Sequence, residues 1–234
     1  MLVGVLALQG DFQAHGDALR RLGASVREVR TAEELRSVDG IALPGGESTT
    51  MRKLMEGTGL DEEIAAGVRA GKPIFATCAG VILLAQEISN PHGRGLGLLQ
   101  AGVVRNAYGR QLDSTIVPLE NVRSDLFGDR ALEGVFIRAP RLVALGPDVE
   151  VLASRGVDPA LVRQGNILAA TFHPELSRDD RIHALFLSGL EAVPQRARDT
   201  QSTEENPGDE QATLVPGALE RPERPTAPEA RRTA

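Results

Sequence analysis

The chain has 234 residues, 41% of them hydrophobic and 25% charged, which suits one substantial globular core with residues left over for a tail. A formal net charge of -6 removes any general electrostatic attraction to nucleic acid or to an acidic membrane surface. A single cysteine, Cys78, excludes an internal disulfide framework and a multi-thiolate zinc site, and no apolar run approaches the roughly 18 residues that a spanning helix needs.

Residues 2–8 form an almost uniformly apolar run, as expected of a strand covered on both faces. No basic segment precedes it, so it reads as a strand and not as a signal peptide, and a cytoplasmic location is expected. Phe12, Leu19 and Leu22 then give helical spacing over 12–22, ended by Gly23. A short strand is expected at 26–29 and another at 40–43, the latter broken by Pro44-Gly45-Gly46. Helices are predicted around 50–55 and 61–70, a fourth strand at 73–77, and a helix over 81–87. Strands separated by helices predict a parallel, doubly wound α/β sheet.

The second half reads as added β structure, with short runs at 98–104, 114–119, 134–137, 142–145 and 149–152. Runs 161–164 and 167–172 flank Gly165-Asn166, a two-residue hairpin signal. An amphipathic helix over 178–190 closes the ordered domain, expected at residues 1–192. From 193 the chain turns to Pro, Glu, Arg, Thr and Ala, with only Leu214, Val215 and Leu219 as large apolar groups after Pro194. Such a segment buries too little surface to offset its ordering entropy, so a disordered tail is expected over 193–234.

Cys78 stands where an apolar strand meets a helix, in Phe75-Ala76-Thr77-Cys78-Ala79-Gly80. Small neighbours and a following helix are the layout of a nucleophile elbow at the carboxyl end of a strand. The helix would aim amides and its positive end at the sulfur, favouring thiolate, and the Ala79 N–H would be placed to hold an oxyanion. The competing reading of a lone cysteine is a small buried hydrophobe.

Phe172-His173-Pro174-Glu175 follows another apolar run. Pro174 biases His173 towards an extended backbone, and residues two apart in such a segment project to one side. Glu175 would then orient His173 while the other ring nitrogen faces the thiol. The alternative is a solvent-facing turn. Of the other histidines, His15 opens a predicted helix after the Gln9-Gly10-Asp11 loop and remains a candidate site residue, His92 falls in a loop, and His183 reads as a surface or packing residue.

Leu43-Pro44-Gly45-Gly46-Glu47-Ser48-Thr49 ends the third strand, and its paired glycines would let backbone N–H groups meet an oxyanion or a carboxylate. There is no Gly-Lys-Ser/Thr pattern, so a P-loop is not indicated. An ordinary strand-to-helix turn capped by Ser48 or Thr49 is the other reading.

In the order Pro-Gly-Gly-Glu-Ser, Thr-Cys-Ala-Gly, His-Pro-Glu, the chain resembles class I (triad) glutamine amidotransferases. The opening Gly4-Val5-Leu6-Ala7-Leu8-Gln9-Gly10-Asp11-Phe12-Gln13-Ala14-His15, with Gly45-Gly46-Glu47-Ser48-Thr49-Thr50, makes it similar to the glutaminase subunits of pyridoxal 5'-phosphate synthases over about residues 1–192. Ala76 stands where many of the wider class carry glycine. The resemblance implies a flavodoxin-like three-layer sandwich. It implies Cys78 as nucleophile with His173 and Glu175 as its relay, and oxyanion donors at Gly46 and Ala79. It also implies L-glutamine contacts from Gly46, Glu47, Ser48, Arg105, Ile137 and Arg138. Neither a cofactor nor a metal is expected on this chain. The implied partner is a synthase subunit in a large hetero-oligomer, which takes the ammonia and itself binds the sugar phosphates. A glutaminase serving another synthase, a cysteine peptidase of similar fold and a non-catalytic binding module are the alternatives.

Overall fold

The computed structural model describes residues 1–107 and 115–191, all within one unit, Met1–Pro194. Residue 114 and the expected tail lie outside the described residues.

Strands buried on both faces occupy the middle of the main sheet. These are β1 (Leu2–Leu6), β3 (Gly40–Leu43), β4 (Ile74–Thr77) and β12 (Ile167–Ala170). With β2 (Ser25–Val29), β10 (Glu150–Arg155) and β11 (Asp158–Gln164) they form a seven-stranded sheet in the order β10-β11-β12-β4-β3-β1-β2. Pairing is parallel from β2 through β12 and antiparallel from β12 to β10.

Alternation along the strands feeds two apolar clusters. Val3 and Val5 of β1 enter one cluster and Leu6 the other. Leu6 joins side chains of α2 (Ala32–Arg36), α3 (Ser48–Met55), α4 (Leu60–Arg69) and α5 (Ala79–Leu84). Val3 and Val5 join side chains of α1 (Phe12–Arg21) and α7 (Arg181–Glu191). Helices therefore cover both faces, giving the expected three layers. Two smaller sheets add to this frame. One holds β5 (Ala85–Ser89), β6 (Leu99–Val104) and β9 (Arg141–Val143), and the other holds β7 (Thr115–Pro118) and β8 (Glu133–Phe136).

Three local readings change. The helix predicted over 81–87 ends at Leu84, and the chain continues as β5, parallel to β6. The carbonyls of Leu83, Leu84 and Ala85 accept from Leu96, Leu98 and Gly97 at 2.7, 2.9 and 3.1 Å, so backbone from the following segment replaces the next helical turn. Helix α2 was not predicted, although its capping box is local: Thr31 Oγ1 accepts from Glu34 N–H, and Glu34 Oε2 from Thr31 N–H. A short α6 (Ser124–Phe127) also appears. Gly165-Asn166 joins β11 to β12 as a two-residue hairpin, with Gln164 opposite Ile167.

Arg181, at the start of α7, fastens the chain after α6. Its guanidinium donates to the carbonyls of Phe127, Arg130 and Ala131 at 2.6, 2.9 and 2.8 Å, and its Nε donates to Asp179 at 2.9 Å. Arg181→Met keeps much of the apolar stem and loses these bonds, so a destabilisation of about 1–3 kcal/mol is expected in urea unfolding. The Arg181 hydrogen bonds hold the Asp179 carboxyl at about 2, below its ordinary 3.8. The folded-state value is the depressed one, so this contribution is complete above the ordinary value and is lost as pH falls through about 2.

Candidate active site

Cys78 follows β4 directly and precedes α5. Its backbone sits at φ 44°, ψ -98°, a conformation that costs a non-glycine residue roughly 1–3 kcal/mol and holds the side chain out of the strand's course. Its N–H donates to the Ala170 carbonyl at 2.9 Å, extending the β4–β12 ladder by one residue. Gly80 permits this tight entry into α5, because a Cβ there would overlap the Leu43 carbonyl oxygen at the end of β3.

The parallel pairing of β4 and β12 brings His173 to the thiol. Ala170 lies opposite Thr77, so chain leaving β12 runs alongside chain leaving β4. His173 N–H donates to the Val135 carbonyl at 2.8 Å, fixing that exit. His173 Nδ1 then lies 2.7 Å from Glu175 Oε1, with both residues buried. The adjacency is as expected, but the backbone is not the extended segment predicted. Pro174–Leu176 is a 3-10 turn, and Pro174 at its first position starts it without sacrificing a needed N–H.

Burial by itself would lower the His173 pKa. Its hydrogen bonds to the Cys78 sulfur and to Glu175, with their Coulomb attraction, outweigh that and lift it to about 10. Burial would raise Glu175, but His15 and His173 bring it below the ordinary carboxylate value. Burial pushes His15 below its ordinary value and His183 down to about 3.

His15 is completely buried, its Nε2 lying 3.3 Å from Glu175 Oε2 and 3.0 Å from Thr77 Oγ1. His183, read from the sequence as a surface or packing residue, is also fully buried, with Nε2 3.2 Å from His15 Nδ1. No spacing rule could have linked these two, because they are 168 positions apart. His92 is exposed in its loop, as expected.

The glycine-rich loop closes over the thiol and imidazole. A Cβ at Gly45 would overlap the His173 ring, so glycine is required for this approach. Helix α3 is capped by Glu47, in place of the Ser48 or Thr49 cap considered above. Its carboxylate accepts from Thr49 and Thr50 N–H at 3.1 and 2.7 Å and from Thr50 Oγ1 at 2.8 Å. Partial burial would raise the Glu47 pKa, but the Thr50 and Thr49 bonds prevail and hold it at about 2. Arg105 Nη2 also reaches Glu47 at 3.3 Å, and Glu47 N–H donates to Gln9 Oε1 at 2.6 Å.

Gly46, Glu47, Ser48, Arg105, Ile137 and Arg138 all line one cavity of about 220 Å³, together with Cys78 and His173. Ala79 does not line it; it is buried as the first residue of α5. Gln9, Gly10 and Asp11, which follow β1, and Ile82 and Asn106 complete the wall. The sequence marked the 9–11 loop through its position after a strand and as part of the Gly4–His15 stretch that carries the resemblance, without naming its residues as site residues. Among the described residues, Asp11, His173 and Glu175 are the one group with the donor types of a metal site. The His173–Glu175 hydrogen bond already accounts for two of its three members. A strained cysteine, a carboxylate-oriented histidine and a polar cavity over both form the equipment for acyl transfer through sulfur.

The family model described as "SNO glutamine amidotransferase family" matches residues 5–192. A protein from Koribacter versatilis named "Pyridoxal 5'-phosphate synthase subunit PdxT" is 54% identical over 187 residues, covering 80% of this chain and 94% of its own. Proteins of the same name from Thermotoga maritima and Thermus thermophilus are 49% and 50% identical, each over 80% of this chain and over 98% and 96% of their own. A solved structure described as "Crystal structure of glutamine amidotransferase" superposes with a TM-score of 0.74 at 49% identity, over 81% of this chain and 98% of that one. "Structure of PurLQS from Thermotoga maritima", at 19% identity and a TM-score of 0.62 over 81% of this chain and 98% of that one, shares the fold. The fold is the flavodoxin-like sandwich of class I glutamine amidotransferases. The chain belongs to the SNO glutamine amidotransferase family.

Proposed function

We propose that this chain is the glutaminase subunit of a pyridoxal 5'-phosphate synthase, with Cys78 as nucleophile, His173 as acid and base, and Glu175 as the orienter of His173. The observation that carries the assignment of residues is the 2.7 Å His173–Glu175 contact beside a cysteine held at positive φ on the wall of the cavity.

The Cys78 thiolate adds to the side-chain amide carbon of L-glutamine, and the C=O π electrons move to oxygen. Backbone N–H groups at Gly46 and Ala79 receive that oxyanion. Protonated His173 gives its proton to the amide nitrogen, and the C–N bond breaks to leave ammonia and a Cys78 thioester. Neutral His173 takes a proton from water as the oxygen adds to the thioester. Collapse expels the thiolate and releases glutamate, with His173 again protonated. The raised His173 pKa suits the first half, because the proton needed by the leaving nitrogen is already on the imidazole at neutral pH.

Gly46, Glu47, Ser48, Arg105, Ile137 and Arg138 bind the glutamine in this reading, and their shared cavity supports it. The Glu47 carboxylate caps α3 and meets Arg105, so its contribution is to hold the loop and the guanidinium as well as to face the substrate. The ammonia passes to a synthase subunit in a large hetero-oligomer, which joins it to a pentose phosphate and a triose phosphate. Among the described residues no helix is long and apolar enough to cross a membrane. A cytoplasmic setting suits a free catalytic thiol, because thiols stay reduced there.

The test is to combine this chain with the synthase subunit, the two sugar phosphates and a nitrogen source. Pyridoxal 5'-phosphate formed from glutamine should require this chain and match the glutamate released, whereas ammonium salts should bypass it. Glutamine-dependent formation by the synthase alone would overturn the reading.

A further inference from the structure

The mechanism above leaves three buried polar side chains behind Glu175 without a role: His15 on α1, Thr77 at the end of β4, and His183 on α7. They converge from three separate elements. His15 Nε2 is 3.3 Å from Glu175 Oε2 and 3.0 Å from Thr77 Oγ1, while His15 Nδ1 is 3.2 Å from His183 Nε2. Packing alone does not call for imidazoles here. Their rings stack edge-on around Phe75, at centroid distances of 5.5 and 5.2 Å, where wholly apolar rings would serve.

The proton positions follow from where partners exist. Among the described residues, His183 Nδ1 and Glu175 Oε2 are both buried without a hydrogen-bond partner. A bare nitrogen is tolerated there more readily than an unpaired N–H, so the His183 proton sits on Nε2. That nitrogen faces His15 Nδ1, which must then accept, leaving the His15 proton on Nε2. The Nε2–H is hydrogen-bonded to the Thr77 hydroxyl and lies 3.3 Å from Glu175 Oε2, the carboxylate oxygen that His173 does not use. The reverse arrangement would set a lone pair against the carboxylate and strand an N–H on His183.

We propose that His15 is a positioning residue for glutamine hydrolysis, its Nε2–H dipole facing the otherwise unpartnered Glu175 Oε2 so that the carboxylate stays ionised and Oε1 stays aimed at His173, with His183 fixing the His15 tautomer from behind. The proposal rests on the reading of Cys78, His173 and Glu175 as the catalytic set. The groups facing His15 are Thr77 from β4, Glu175 from the 3-10 turn and His183 from α7, with Asp11 and His173 adding weaker fields.

The test compares His15→Leu and His15→Gln in the full chain assembled with its synthase. A glutamine amide places a donor where imidazole Nε2 stands, and leucine does not. His15→Leu should lower kcat by about 10- to 100-fold, as expected for loss of one polar contact with a buried charged group, with KM for glutamine within about threefold. Its acid limb of kcat/KM should move to higher pH, because a carboxylate that loses a donor protonates more readily. His15→Gln should recover most of kcat and the wild-type limb. Equal kcat in the two variants, whether high or low, would overturn the proposal. Nitrogen-15 NMR of the wild type reads the same claim without a mutation: His15 should be neutral with its proton on Nε2, and an Nδ1–H tautomer would sink it even if His15→Leu fails to fold. A Cys78→Ala control run in parallel separates the two readings. Activity surviving there removes the catalytic assignment itself, whereas a silent control with an unimpaired His15→Leu removes only the role of His15.

Discussion

Cys78→Ala should lower glutamate release by about 10⁴-fold or more while the chain still folds and still takes glutamine into its cavity. The size of the effect follows from the kind of step lost. Without sulfur there is no thioester, and the remaining groups supply only binding and oxyanion contacts, which leave a small residue of catalysis in triad enzymes. The fold should tolerate the change, because Cys78 is a small side chain whose removal leaves a cavity of only one sulfur and relieves no backbone constraint. Glutamine binding should survive, since Gly46, Arg105 and Arg138 reach the cavity from other elements. Steady-state glutamate release and titration calorimetry with glutamine, performed on the assembled complex, measure the two halves. Loss of both would mean that Cys78 shapes the cavity and does not act on the substrate.

Gly80→Ala should be damaging out of proportion to one methyl group. In a helix interior alanine is ordinarily favoured over glycine by about 0.5–1 kcal/mol. Here the new Cβ would overlap the Leu43 carbonyl oxygen, with the Leu43 backbone carbon and Cβ also within 3.0 Å. No flexible side chain can turn aside, so either α5 lifts off β3 or the end of β3 shifts. Overpacking of this kind costs roughly 1–3 kcal/mol, which exceeds the propensity gain at most of its range. For a chain of this size, each net kcal/mol lowers Tm by about 2–4 °C. The same displacement moves Cys78 relative to His173, so activity should fall further than stability. Thermal unfolding and glutamate release together check this, and an unchanged Tm would show that the helix entry is softer than its contacts indicate.

The contrast between α5 and β4 shows which parts of the fold were legible. Ile74-Phe75-Ala76-Thr77 is buried on both faces and could be read as a strand from composition alone. The run that follows, Val81-Ile82-Leu83-Leu84, is wholly buried in a helix, and its apolar character continues into Ala85 without a stop signal. What ends α5 is backbone from residues 96–98 taking its last carbonyls, and the parallel register of β5 with β6. No local pattern carries that information. The capping box of α2 was local and readable, and its five-residue helix is too short to show a period.

At the site, the sequence by itself determined the candidate groups and their order. It marked Cys78 at a strand–helix junction, His173 and Glu175 two positions apart, and paired glycines at the end of the third strand. Each of these is a short-range pattern, set by residues within a few positions of one another. The tertiary structure alone decided what each group faces. The β4–β12 pairing sets His173 beside Cys78, and Gly45 meets the His173 ring only because β3 and β12 flank β4 in one sheet. His15 and His183 come together across 168 positions to stand behind Glu175. Strand order and helix placement are fixed by burying both faces of the sheet at once, a property of the whole chain. Local periodicity therefore names the elements, and only the packed sheet makes neighbours of the residues they carry.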